Sequence, residues 1–422
     1  MNYRRRKRAI HHAEAHADGA TAAAARVLSE PGVPQGDAQL IETDAQVHEV
    51  VAHIRAHGIF AFDTEFIGEE TFHPRICLVQ LATTERVTLI DPLRVGADAL
   101  KAVWECVCDP SLLTLVHAGG QDVDAAQRGA SMCAQNVVDT QIASAFVGMP
   151  WPTSLGNMVE GLLGHRLNKA HTFTEWDARP LSRSQLGYAA DDVRYLPLAW
   201  SRLSGRLNER ARMPWALAES AASIRAVEGF DPESHVRRAC RGLSLRPRVM
   251  TILRELVVLR HAIAGDLDRP PRAVLPDGPM LEIARHKPET IPELAEVRGM
   301  PRPIVQSHGE RILATVQHAK GLPLEHDRIW APPEEGSEDR MRIDALWSVV
   351  TMRCIAMGVA PGILLTRAEL SRWYIGRKGG ARVALFPADD WRRDALGDWI
   401  ERFIAGEGTL SLGWSESGPT AT

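Results

Sequence analysis

A mixed α/β domain whose sheet is flanked by helices, followed by one or two all-helical domains, is the fold class that the sequence predicts. Three observations predict it. Apolar runs of strand length alternate with helix-period segments from about residue 38 to about residue 215. Helical patterns separated by Pro and Gly breaks dominate the C-terminal half. One strand-like run, Ile59-Phe60-Ala61-Phe62-Asp63-Thr64-Glu65-Phe66, carries two acids where a buried strand should be apolar.

Composition bounds the answer. With 422 residues the chain is long enough for about two to four domains. It is ordinary globular material, 45% hydrophobic and 24% charged. A formal net charge of -4 is not the signature of a generic nucleic-acid binder, so any contact with phosphates must come from local patches. The six cysteines are scattered, and Cys106-x-Cys108 is too tight for a zinc knuckle; reduced, buried thiols in a cytoplasmic setting are expected. Residues 346–365 are the most apolar long stretch, but Arg353, Gly358 and Pro361 interrupt them, so no membrane span is expected.

Residues 1–37 open with Arg4-Arg5-Arg6-Lys7-Arg8, lack the apolar core of a signal peptide, and read as a disordered basic arm, either a solvated tail or an RNA contact. A helix over 45–57 leads into the acid-bearing strand. Strands over 76–82 and 87–90 come next on short turns, with 68–74 as the first loop. A helix over 97–108 and a short strand over 112–117 continue the pattern.

In the first strand Asp63 and Glu65 project from one face while Phe62 and Thr64 point away. Two adjacent carboxylates repel, and a hard divalent cation between them removes the repulsion. The alternative is an acid facing water at a strand end and another capping a turn. Beyond the strand over 112–117, Ala118-Gly119-Gly120-Gln121-Asp122 turns into a helix with Asp122 in its first turn, as a cap or as a metal ligand. Val137-Val138-Asp139-Thr140-Gln141 precedes a helix to Phe146, another helix spans 154–163, and residues 169–180 form a loop holding Trp176, Asp177 and Arg179. A single helix over 182–203 carries Tyr188 and Asp192, four apart on one face, with Tyr188 as a core aromatic or a working hydroxyl. Four acids of this kind can hold two divalent ions, Mg2+ or Mn2+, about 3.5–4 Å apart, with Tyr188 orienting the attacking water.

The stretches Phe62-Asp63-Thr64-Glu65-Phe66, His117-Ala118-Gly119-Gly120-Gln121-Asp122 and Tyr188-Ala189-Ala190-Asp191-Asp192-Val193-Arg194-Tyr195-Leu196 resemble the three exonuclease motifs of the ribonuclease D family, in the four-acid subgroup with a tyrosine in its third motif. Leu89-Ile90-Asp91-Pro92-Leu93, Asp139-Thr140-Gln141 and the segment from Trp176 to Leu181 are similar to that family's connecting pieces, so the resemblance runs from about residue 40 to about residue 215. It implies a ribonuclease H-like exonuclease fold, with Asp63, Glu65, Asp122 and Asp192 as metal ligands and Tyr188 positioning water. Asp191 competes with Asp192 for the last ligand position, but the Tyr-x-x-x-Asp spacing selects Asp192. No Walker loop or dinucleotide fingerprint is present, so no nucleotide cofactor is expected.

Residues 241–320 resemble the small helical domain shared by RecQ-type helicases and ribonuclease D, HRDC, above all over 268–275 and 299–313. Arg269, Arg272 and Arg302 stand there as candidate RNA contacts or as a solvated surface, and Lys169 and Arg179 in the loop over 169–180 are further candidates. Residues 340–412 resemble a second, diverged copy. The expected organisation is an arm over 1–37, an exonuclease domain over 38–218, linkers over 219–240 and 321–339 around the domain over 241–320, the second helical domain over 340–412, and a disordered tail over 413–422.

The resemblance implies a 3′-5′ exoribonuclease that releases 5′-mononucleotides from tRNA precursors or other structured RNA ends. A DNA exonuclease shares the same acids, and a non-catalytic RNA-binding scaffold shares the fold; the scaffold predicts a missing acid, and all four are present.

Overall fold

The computed structural model describes residues 27–68, 70–167, 175–227, 229–240, 243, 245–324, 335–378, 384–415 and 418–421. Strand β1 (Gln39–Ile41) precedes helix α1 (Asp44–His57), which Thr43 caps through its side chain and which ends at Gly58, φ 74°. Then come β2 (Ile59–Ile67), β3 (Arg75–Ala82), β4 (Val87–Ile90), α2 (Ala97–Cys108), β5 (Leu113–Val116), α3 (Gly120–Ala130) and β6 (Val137–Asp139). They form a six-stranded mixed sheet in the order β1-β4-β3-β2-β5-β6. The β2-β3-β4 meander is antiparallel, while β5 and β6 add in parallel beyond β2. Strand β1, too short for a sequence pattern, adds in parallel to β4.

Alternation along β2 sorts its side chains between two cores. Phe60 and Phe62 bury against Val47, Val50 and Ile54 of α1 and Val103 and Trp104 of α2. Ala61 faces the opposite core, which includes Ala189, Ala190 and Val193. Asp63 and Glu65 continue the Ala61 side, so the two acids turn toward the helix that carries the third motif.

Helices α4 (Thr140–Ala145), α5 (Leu155–Leu163), α6 (Arg183–Arg194), α7 (Leu196–Glu209) and α8 (Met213–Val227) complete that layer. The single helix expected over 182–203 is two helices. Pro197 lacks the N–H that would bond Val193 in a continuous helix, and the chain breaks at Tyr195. The last residues expected in the basic arm are docked: Val33 is buried with Val159, Tyr195 and Leu198, and buried Arg194 donates to Pro34 O at 2.5 Å. Residues 1–26 lie outside the described residues.

Much of the segment expected as a linker over 219–240 is helical, in α8 and α9 (Pro232–Cys240). Helices α10 (Pro247–Asp266), α11 (Pro271–Val274), α12 (Asp277–His286), α13 (Ile291–Glu296) and α14 (Arg302–Gly321) enclose a core of their own around Ile252, Leu256, Met280, Ile283, Ile312 and Val316. The β2–β3 loop reaches it: the Phe72 ring lies 4.8 Å from that of His261, and Phe72 N donates to Asp268 Oδ1 at 3.1 Å.

Helices α15 (Ser337–Met357), α16 (Pro361–Leu364), α17 (Arg367–Lys378) and α18 (Asp398–Ile404) do not stand apart as a bead on a linker. Val350, Cys354, Leu364 and Trp391 join the core of the α/β domain, and Trp391 packs 4.8 Å from Phe146 and 5.6 Å from Trp215. Ala360 N donates to Ala145 O at 2.9 Å. Where a disordered tail was expected, β7 (Leu412–Ser415) and β8 (Gly418–Ala421) pair antiparallel. Residues 325–334, in the second expected linker, are outside the described residues. Among the described residues no helix is long and apolar enough to cross a membrane.

Candidate active site

The three acidic stretches converge on one cavity of about 380 Å3, lined among others by Asp63, Glu65, Asp122, Tyr188 and Asp192. Local chemistry explains each placement. Helix α6 starts with a capping box: Ser182 Oγ accepts from Gln185 N at 3.2 Å, and Gln185 Oε1 accepts from Ser182 N at 2.9 Å. That start fixes the phase at which Tyr188 and Asp192 face the sheet. Asp191, one position on, instead faces Arg194, 3.6 Å away, and does not line the cavity.

Asp122 enters from the first turn of α3. The turn before it needs Gly119, where a Cβ would come within 2.6 Å of Val116 Cβ. Buried Asp139 holds the turn from behind, accepting from Ala118 N at 3.0 Å and Gln141 N at 2.9 Å. His117 bridges Thr140 Oγ1, 3.0 Å from Nδ1, and Thr153 O, 3.1 Å from Nε2; burial pushes its pKa down to about 4, so the ring is neutral.

Thr64 departs from the simple alternation reading. It lies on the β2 face away from Asp63, yet its hydroxyl donates to Asp122 Oδ1 and ties the first motif to the second. Sequence offered no sign of this, because the bond depends on where α3 begins relative to β2.

The carboxyl groups disturb one another. Asp63 is held well above the ordinary carboxylate range by burial and then by the charges of Asp122, Asp192 and Glu65. Burial, followed by Asp192 and Asp122, raises Glu65 to about 8. Asp192 rises to about 7, chiefly by burial, and Asp122 also moves upward for that reason. Burial and the neighbouring acids push the Tyr188 phenol up, so it keeps its proton and hydrogen-bonds Asp192. Oxygen donors that repel one another in a half-enclosed cavity fit hard divalent cations, which would remove the repulsion.

Arg179, a candidate RNA contact by sequence, is spent inside the protein. It pairs with buried Asp91 through Nε at 2.5 Å and Nη2 at 2.8 Å, and donates to the carbonyls of Trp176 and Cys77. The pair joins two stretches 88 residues apart and explains why both belong to one pattern. Lys169 lies outside the described residues. Arg269, Arg272 and Arg302 are exposed on the helical core beyond the α/β domain, with Arg272 Nε 3.0 Å from Asp277 Oδ2.

Comparison with known proteins respects the same division. Residues 38–208 match a sequence model of 3′-5′ exonuclease domains, and residues 250–316 match the HRDC domain. A ribonuclease D of Gluconacetobacter diazotrophicus is 32% identical over 394 residues, covering 91% of this chain and 96% of that protein. The chain belongs to the ribonuclease D family. The ribonuclease D of Escherichia coli is 33% identical over 287 residues, 68% of this chain and 76% of its own. A crystal structure of E. coli RNase D, described as an exoribonuclease involved in structured RNA processing, superposes with a TM-score of 0.71 at 27% identity, covering 89% of this chain and all of that one. Exonucleases of the ribonuclease D type depend on divalent metal ions, in keeping with the oxygen donors of the cavity.

Proposed function

We propose that the protein is a 3′-5′ exoribonuclease that hydrolyses RNA one nucleotide at a time and releases 5′-mononucleotides. The observation that carries this is the meeting of Asp63, Glu65, Asp122 and Asp192 with Tyr188 in one cavity. These four carboxylates would hold two ions, Mg2+ or Mn2+, which when bound lower the pKa of water and stabilise the attacking and leaving oxygens of a phosphodiester.

The protein's own groups do the rest. Tyr188, protonated and bonded to Asp192, presents a hydroxyl that can orient a water at the scissile phosphate. Neutral His117 adds no charge beside the acids and braces the turn that positions Asp122. Thr64 fixes the Asp122 carboxylate from the sheet.

Structured RNA 3′ ends, tRNA precursors among them, are the proposed substrates, and the description of the E. coli relative supports this. Arg269, Arg272 and Arg302 would meet the phosphates of such RNA outside the cavity. A cytoplasmic setting agrees with six free cysteines. The deciding assay digests end-labelled RNA and DNA of one sequence with and without Mg2+. RNA shortened stepwise from its 3′ end to 5′-mononucleotides, only with the ion, is expected. Equal or faster digestion of DNA, or products of random length, would overturn the reading.

A further inference from the structure

At the other end of β2 from its acids, α1 and the β3–β4 turn meet through a second set of metal-binding side chains. His53 and His57 stand four residues apart on α1 and project from one face. Their ring centroids are 4.4 Å apart at a tilt of 36°. Glu85, in the turn, brings Oε1 within 3.4 Å of His57 Nε2. One ligand atom from each of the three lies within 4.8 Å of the others, a closeness that no other trio of His, Cys, Asp or Glu reaches among the described residues. Thr83 supports both sides: its Oγ1 is 2.9 Å from His53 Nε2 and accepts from Glu85 N at 3.3 Å.

We propose that His53, His57 and Glu85 bind one divalent ion of the zinc class, separately from the acidic cavity. Two imidazoles and one carboxylate are a donor set suited to zinc and its neighbours, whereas the all-oxygen cavity suits magnesium or manganese. The two sites therefore differ in ligand chemistry and not only in place. The set has the open side of a three-ligand site, which water would complete. Among the described residues, helix α1 and the β3–β4 turn are otherwise joined here by few side-chain bonds: His53 to Thr83, the His57–Glu85 pair, and Arg86 Nη2 to Glu49 O at 3.4 Å. An ion would cross-link the helix to the sheet edge beside β2. Its effect is on stability, because none of the three ligands reaches the cavity that holds Tyr188 and the four acids.

The test uses untagged full-length protein carrying Asp63→Asn and Glu65→Gln, which weakens the acidic cavity as a competing site, titrated with Zn2+ by calorimetry. One Zn2+ per chain is expected, with a higher melting temperature. Adding His57→Gln or Glu85→Gln should weaken binding by ~100-fold or more, since even the partners behind a ligand are worth 10- to 100-fold. His57→Cys, which keeps a zinc ligand in place, should retain it. In the otherwise wild-type chain His57→Gln should leave the Mg2+-dependent nuclease rate unchanged. Absence of zinc binding in the double variant, or binding that His57→Gln and Glu85→Gln leave unaltered, would overturn the proposal.

Discussion

Gln80 stands directly across from Asp63 in the β2–β3 ladder, fully buried, and among the described residues neither atom of its amide has a hydrogen-bond partner. Cross-strand neighbours share a face, so Gln80 stands next to Asp63 on the side of the sheet that carries the site. An unsatisfied buried amide costs about 1–3 kcal/mol, and such a cost is typically tolerated where a site needs the group. Gln80→Met keeps the length and removes the polar atoms. It is expected to stabilise the metal-free protein by about 1–2 kcal/mol while lowering turnover. Thermal melts and single-turnover rates on one preparation check both; an unchanged rate would reduce Gln80 to a packing residue.

Asp63→Asn and Asp192→Asn each replace one carboxylate oxygen with an NH2 group and remove a repelling charge from the cavity proposed to hold the ions. Hydrolysis is expected to fall below detection in Mg2+, while the melting temperature without metal holds or rises. Asp191→Asn, which disturbs a pair with Arg194 outside the cavity, should keep most of the activity. Near wild-type degradation by either of the first two variants would refute the ligand assignment.

Tyr188→Phe deletes one hydroxyl and keeps the ring, which lies 6.2 Å from Trp176. Turnover should drop by ~10²-fold, the scale of a single positioned hydrogen-bonding group. Because the hydroxyl is assigned to water and not to metal, the Mg2+ concentration giving half-maximal rate should stay the same. A shift in that concentration with little loss of rate would reverse the assignment.

The part of this site that sequence exposed was local. Asp63 and Glu65 betray themselves as acids in an apolar strand, and Tyr188 and Asp192 by helical spacing, so each needs only its own element to be read. What stayed hidden depends on the meeting of distant elements. Thr64 finds Asp122 because α3 begins beside β2, and Arg179 looked free until Asp91, 88 residues earlier, was folded against it. The break at Tyr195 is different: Pro197 is a local sign of it, and a single helix over 182–203 passes that sign over. The docking of Trp391 on Phe146 and Trp215 had no local sign at all, since a buried tryptophan in a helical segment names no partner.

Raised carboxyl pKa values make the metal-free protein sensitive to pH in a definite direction. Glu65 is held at about 8 and Asp192 at about 7 in the folded state, whereas unfolded carboxyl groups titrate near ~4. Between about pH 4 and pH 8 the folded form binds more protons, so these groups cost stability progressively as pH rises through that window. In EDTA the melting temperature of wild type relative to Glu65→Gln should therefore fall from about pH 5 to about pH 8. Added Mg2+ should recover more at the higher pH, where it competes with fewer protons for the same acids. A wild-type advantage that grows with pH in EDTA would show that the acids are not raised.

The role of the helical half is best tested by substitution in the full chain. A fragment ending near residue 236 would lack the segment from α15 to α18, in which Val350 of α15, Leu364 of α16 and Trp391 between α17 and α18 join the core of the α/β domain, and would leave Phe146 and Trp215 uncovered. Poor behaviour of that fragment would say nothing about RNA. Arg269, Arg272 and Arg302 are exposed, so replacing all three with alanine should leave the fold and the trimming of short single strands intact. If they meet phosphates, affinity for a tRNA-like RNA should fall, and the slope of log affinity against log salt should flatten by about 0.7–0.9 for each phosphate no longer neutralised. Binding measured across a salt series for wild type and the triple variant reads this directly. Equal affinities and equal slopes would mean that the helices around Ile252 and Ile312 pack against the exonuclease domain through Phe72 and leave RNA capture to the cavity itself.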